Sequence, residues 1–88
     1  MSTLSIIVPC HNEEKRLDIG KFLDFLGQTG NTRIIFVNDG STDNTNSVLQ
    51  KIKDGKPERI SIINLVERKG KAEAVRTGLL ESIGQNNF

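Results

Sequence analysis

The chain has no tryptophan and no tyrosine, and only four phenylalanines. Aromatic platforms for stacking single-stranded nucleic acid are therefore scarce. Neither sign of charge dominates: twelve Lys and Arg face eleven Asp and Glu, for a net charge of +1. Bulk electrostatics thus give no support for a nucleic-acid partner. The single cysteine, Cys10, excludes an internal disulfide and fits a reducing compartment. The single histidine, with no cysteine at ligand spacing, supports no metal centre. No apolar run approaches the roughly 20 residues of a membrane helix. No basic segment leads into a long apolar stretch at the start, as a secretory signal would. The expected location is cytoplasmic, or the cytosolic part of something larger. With 88 residues, 35% hydrophobic and 26% charged, the chain reads as one soluble domain at most.

What is present is an acidic turn at the end of an apolar strand, RIIFVNDGSTDNT at 33–45. Ile34 to Val37 run into Asn38, Asp39 and Gly40, and Ser41 and Thr42 then open a helical pattern. The same layout precedes it at SIIVPCHNEE (5–14), and a third apolar strand near 60–66 leads into ERKGKAEAVRTGL (67–79). Continuous apolar strands of this kind, 4–8, 34–37 and 60–66, are those of a parallel sheet covered on both faces.

Helical spacing lies between them. Residues 13–27 align Ile19, Phe22, Leu23 and Leu26; residues 42–53 align Thr45, Val48, Leu49 and Ile52; residues 71–84 align Ala72, Val75, Leu79 and Ile83. Asn12 and Ser41 or Thr42 are the expected N-caps, and Gly30 and Gly55 the expected C-caps or loops. The order β-α-β-α-β-α predicts an α/β fold, a three-layer α-β-α arrangement on a parallel sheet of about three strands. Its three strand-to-helix loops then converge on the rim where open α/β sheets bind ligands. If the strands run 3-2-1, the first becomes an apolar edge without charge, of a kind usually covered. The expectation is an incomplete domain over residues 1–88, the amino-terminal half of a larger one, whose bare edge pairs with another copy or is otherwise capped.

Each loop admits two readings. Asp39 is either an acceptor for a nucleobase N–H or the start of an Asp-Gly turn with Ser41 capping a helix, and Gly40 allows positive φ and close approach of a ligand. Pro9 is expected to end the first strand, because it lacks a ladder donor. His11 is either a ring that stacks on a base or a solvent-facing loop residue. Glu13 and Glu14 sit where the first turn of a helix favours negative charge. Cys10 reads as an inert packed thiol. Lys69 and Lys71 flank a helix N-terminus, where an anion such as phosphate would be expected, though a solvated basic loop has the same composition. Neither a P-loop nor G-x-G-x-x-G follows the first strand.

Three motifs together carry a resemblance. Pro-x-x-Asn-Glu spans 9–13, Asp-Gly-Ser-x-Asp spans 39–43, and Gly-Lys-x-x-Ala-x-x-x-Gly spans 70–78. Over residues 4–83 the chain resembles the nucleotide-binding part of the family 2 inverting glycosyltransferases of GT-A (Rossmann-like) fold. Within them it is most similar to enzymes acting on dolichyl or polyprenyl phosphate. The resemblance implies a nucleoside diphosphate sugar, UDP- or GDP-linked, held by Pro9, His11, Asn12, Glu13, Asp39, Gly40 and Lys71. His11 stands where the family usually has Tyr or Phe. The resemblance also implies a divalent metal, Mg or Mn, for the full-length enzyme, held by an Asp-x-Asp motif these 88 residues lack. The catalytic base belongs to that missing part too. No catalytic residue, and no metal bound by this chain alone, is expected here. A membrane lipid could be the parent protein's acceptor. Two alternatives stand beside this: a non-catalytic nucleotide-binding or dimerisation module, and a receiver or phosphohydrolase domain with Asp39 as phosphoacceptor, which lacks a second carboxylate for magnesium.

Overall fold

β-Branched residues are concentrated in three strands, β1 (Leu4–Cys10), β2 (Thr32–Asp39) and β3 (Ile60–Leu65). In this computed structural model, which describes residues 4–86, they form one parallel sheet in the order β1-β2-β3. The central strand is the core: Ile34 to Asp39 are all buried. Its pleat sends Ile34 and Phe36 to one face, against Leu26, Leu49 and Ile52, and Ile35 and Val37 to the other, against Ala74. Phe22 meets Phe36 edge to face, with ring centroids 5.1 Å apart. Each such fully buried apolar side chain contributes about 1.5–3 kcal/mol.

Helices α1 (Ile19–Gly27) and α2 (Thr45–Gly55) cover the first face, and α3 (Lys71–Asn86) runs back across β2 and β1 on the second. The α/β three-layer arrangement is therefore as predicted, with the strands in the 3-2-1 order. Arg59 ties the far end together: its guanidinium donates to Leu26 O at 2.8 Å in the last turn of α1, to Thr29 O just past it, and to Thr32 O at 3.1 Å at the start of β2.

Four expectations need correction. Pro9 does not end the first strand; it lies inside β1, opposite Val37. Leu4 N–H donates to Asn31 O at 2.9 Å, so the even residues of β1 turn their backbone groups to β2. Pro9 therefore turns its donorless nitrogen to the open edge, where proline is tolerated. The first helix starts at Ile19 rather than 13, and its N-cap is Asp18, which accepts from Lys21 N–H at 3.1 Å. Asn12 caps nothing: with φ +52° it turns the chain, and Glu13 and Glu14 spend their N–H groups on Thr45 and Asp43 instead of a helix.

The second helix starts at Thr45, not 42. Ser41 and Thr42 are not its caps; Asn44 holds the cap position, and Asp43 accepts from Thr45 N–H at 3.0 Å. The third helix faces the sheet with a different stripe from the one its spacing predicts. Ala74 and Gly78 are buried there, while Leu79, Leu80 and Ile83 are 51%, 56% and 54% exposed. A Cβ on Gly78 would stand 2.6 Å from Ile7 Cγ2, so the helix lies too close to β1 for anything larger. Gly55 closes α2 and Gly30 lies in the α1–β2 loop, as expected. Asn87 and Phe88, with which the chain was expected to stop abruptly, lie outside the described residues.

Candidate functional site

The carboxyl ends of β1, β2 and β3 feed three loops, and the loops meet. Pro9 and Cys10 at the end of β1, His11 and Glu13 from the first loop, Asp39 at the end of β2, Arg68 from the third loop and Lys71 at the start of α3 line one open cleft of about 270 Å³. That volume lies just under the usual range for small-ligand pockets, about 300–1,000 Å³. Its wall carries two carboxylates, two cations and an imidazole, so it can accept from ligand N–H or O–H groups and neutralise an anion.

Asp39 joins the second loop to the third. Its carboxylate is buried, and its two oxygens accept from Lys69 N–H at 2.7 Å and Gly70 N–H at 3.0 Å. Its own carbonyl accepts from His11 Nδ1 at 2.7 Å. A carbonyl only accepts, so Nδ1 carries the proton. Asp39 thus grips both neighbouring loops, one with its side chain and one with its backbone. Ser41 is held in turn: its hydroxyl donates to Asn38 Oδ1, whose amide donates to Asn64 Oδ1 on β3 at 3.1 Å.

A second set of bonds clasps the first loop to the second. Glu13 N–H donates to Thr45 Oγ1 at 2.9 Å and Glu14 N–H to Asp43 Oδ2 at 3.4 Å. In return Asn44 N–H donates to Glu14 Oε1 at 3.2 Å. The hydrogen bond from the Thr45 hydroxyl, above all, holds the Asp43 carboxyl below its ordinary range. Burial, and then the charge of Glu13, push the Cys10 thiol up to about 11, so it stays protonated and inert in the cleft wall.

Of the residues expected at the site, Pro9, His11, Glu13, Asp39 and Lys71 line the cleft. Asn12 and Gly40 do not. Asn12 bridges the loops from outside, and Gly40, at φ +61°, lets the backbone of Arg68 pass close by. Lys69 also stays outside: its ammonium pairs with Glu67 at 2.8 Å, and the hydrogen bond between them raises the one pKa and lowers the other. Arg68 is the lining cation that spacing did not single out. Its only signal was membership of the basic run 68–71, which does not say which side chains turn inward.

Among the described residues no group of three His, Cys, Asp or Glu side chains could hold an ion, and Asp39 and Asp43 are engaged by backbone donors. No described helix is long and apolar enough to cross a membrane.

The family described as Glycosyl transferase family 2 matches residues 5–85, almost the whole of what the structure describes. The chain belongs to that family. Among curated relatives, dolichyl-phosphate beta-glucosyltransferase from Drosophila melanogaster is 40% identical over 92 residues, covering 94% of this chain and 28% of that protein. The Homo sapiens protein of the same name is 36% identical, covering 93% and 28%. Among solved structures, a mannosyltransferase from Pyrobaculum calidifontis, in complex with GDP-Man and Mn2+, superposes with a TM-score of 0.72 at 28% identity, over 89% of this chain and 24% of that one. The chain thus spans little more than a quarter of these two curated relatives. For this glycosyltransferase domain, the GT-A, Rossmann-like architecture expected from the sequence is the one observed.

Proposed function

We propose that this chain is the donor-binding part of a sugar transferase, and that its cleft takes a nucleoside diphosphate sugar, UDP- or GDP-linked. The observation that carries this is the convergence of His11, Asp39, Arg68 and Lys71 on one rim. The carboxylates of Asp39 and Glu13 accept from base and ribose donors. Arg68 and Lys71 stand at the amino end of α3, where cation and helix dipole together favour diphosphate. Pro9, Asn12 and Gly40 shape the loops. The reaction proposed for the parent protein is inverting transfer, with a polyprenyl phosphate or a saccharide as acceptor, on the cytosolic side of a membrane. The leaving diphosphate would be neutralised by Mg or Mn held outside these residues. By itself the chain binds and does not catalyse.

Titration with UDP and with GDP, followed by amide NMR, tests this. Shifts are expected at His11, Arg68 and Lys71, with affinity reduced about tenfold in Lys71→Ala, the worth of one charge-assisted hydrogen bond. Shifts that map elsewhere, or none with either nucleotide, overturn the reading.

One observation favours a second role, self-association. The outer edge of β1 is unpaired in the sheet, and beside it Ile6, Val8, Phe22, Phe25 and Ile34 line an apolar groove of about 430 Å³. Arg16, Asp18 and Lys21 rim it with both signs of charge, which lets the surface match a copy of itself. Light scattering should then show a dimer that dissociates in Ile6→Lys. A monomer at high concentration removes this role and leaves donor binding untouched.

A further inference from the structure

Asn12 is the only non-glycine residue at positive φ among the described residues, and its side chain makes the most of that turn. The left-handed region is costly for most side chains but is visited by Asn. From there Asn12 N–H donates to Ser41 Oγ at 3.0 Å, and Asn12 Oδ1 accepts from Thr42 N–H at 2.8 Å. Those two bonds fasten the first loop to the second. They also orient the amide: with Oδ1 committed to Thr42, Nδ2 is left against His11 Nε2, at 3.4 Å.

Two independent contacts therefore specify the same imidazole tautomer. The Asp39 carbonyl requires a proton on Nδ1, and the Asn12 amide requires a bare Nε2. We propose that Asn12 is a positioning residue of the cleft, which fixes the tautomer and orientation of His11 and couples them to the 41–42 turn. Asn12 does not line the cleft; it acts through the ring that does. A side chain with an acceptor alone would hold the turn and lose the ring. A residue with no side chain would keep the backbone and lose both.

The consequence for nucleotide rests on the donor-binding reading above; the consequence for His11 does not. The test uses the full chain, Asn12→Gly, Asn12→Asp and long-range proton–nitrogen NMR at about pH 8, where imidazole is ordinarily neutral. The wild type should show the Nδ1–H tautomer. Asn12→Gly, which retains positive φ, should blur that preference, speed exchange of the Thr42 amide about tenfold, and weaken UDP or GDP binding by a similar factor, as loss of one or two neutral hydrogen bonds predicts. Asn12→Asp should keep the Thr42 amide protected while moving both His11 nitrogen signals toward the charged ring, since a carboxylate beside Nε2 favours a proton there. Amide spectra of β2 establish that each variant is folded. His11 signals unchanged in both variants refute the proposal. Changed His11 signals without any nucleotide binding in the wild type refute donor binding alone.

Discussion

Replacing Asp39 by alanine is expected to lower stability by about 2–4 kcal/mol, because it strands two part-buried backbone donors, at up to about 1–3 kcal/mol each, and removes the polar core of the rim. The donors are Lys69 N–H and Gly70 N–H, each now on one carboxylate oxygen. The turn that carries Arg68 and Lys71 would lose its anchor, and the nucleotide affinity proposed for the cleft with it. Asp39→Asn separates shape from charge. It keeps the volume but sets an amide N–H₂ against one of the two backbone donors, so about half the loss is expected. Urea unfolding of the three proteins measures this directly. A midpoint for Asp39→Ala close to the wild type would mean the two bonds do not hold the turn. Loss of nucleotide binding in Asp39→Ala is by itself no proof that the carboxylate touches a base, since the same change loosens the cleft. The Lys71 substitution is the cleaner probe of contact, because its side chain is exposed at the start of α3.

Gly40→Ala should be nearly as damaging, for a steric reason. Gly40 sits at φ +61°, and a Cβ there would stand 2.3 Å from Arg68 N, 2.6 Å from Glu67 C and 2.8 Å from Arg68 Cα. All three are backbone atoms that cannot swing aside. A left-handed alanine costs about 1 kcal/mol before any clash, and displacing a loop that Asp39 has pinned raises the total to about 3 kcal/mol. For a domain of this size the melting temperature would fall by roughly 10–20 °C. Gly70 provides the control. Its φ is +97°, but nothing lies within 4 Å of its Cβ position, so Gly70→Ala should cost only the backbone strain. Equal losses at the two positions would show that conformation, not close approach, decides Gly40.

Most of the architecture was legible. Apolar runs with β-branched residues marked β2 and β3 to within two residues, and the helical faces built on Leu26 and on Leu49 and Ile52 are the ones in the core. Helix starts were less legible. Asn12, Ser41 and Thr42 have the chemistry of N-caps, but their polar groups bind one another across two loops, about thirty residues apart in the chain. Local pattern cannot see that competition. The α3 face was misassigned for a related reason. Spacing selects the bulkiest stripe, Ala72, Val75, Leu79 and Ile83, whereas close approach to β1 and β2 selects the smallest, Ala74 and Gly78.

The order of elements, the parallel sheet and the three polar loop tips were settled by the amino acids in their order, because hydrophobic period and turn chemistry act over a few residues. Which tips face a common cleft was settled only in three dimensions. Lys69 and Arg68 are neighbours of one composition, yet Glu67 draws Lys69 away while Arg68 lines the rim. Asp39 is an acceptor in either description, but folding commits both its oxygens to the backbone of a turn thirty residues further on. Such commitments depend on distances that arise when the sheet forms, and no spacing along the chain encodes them.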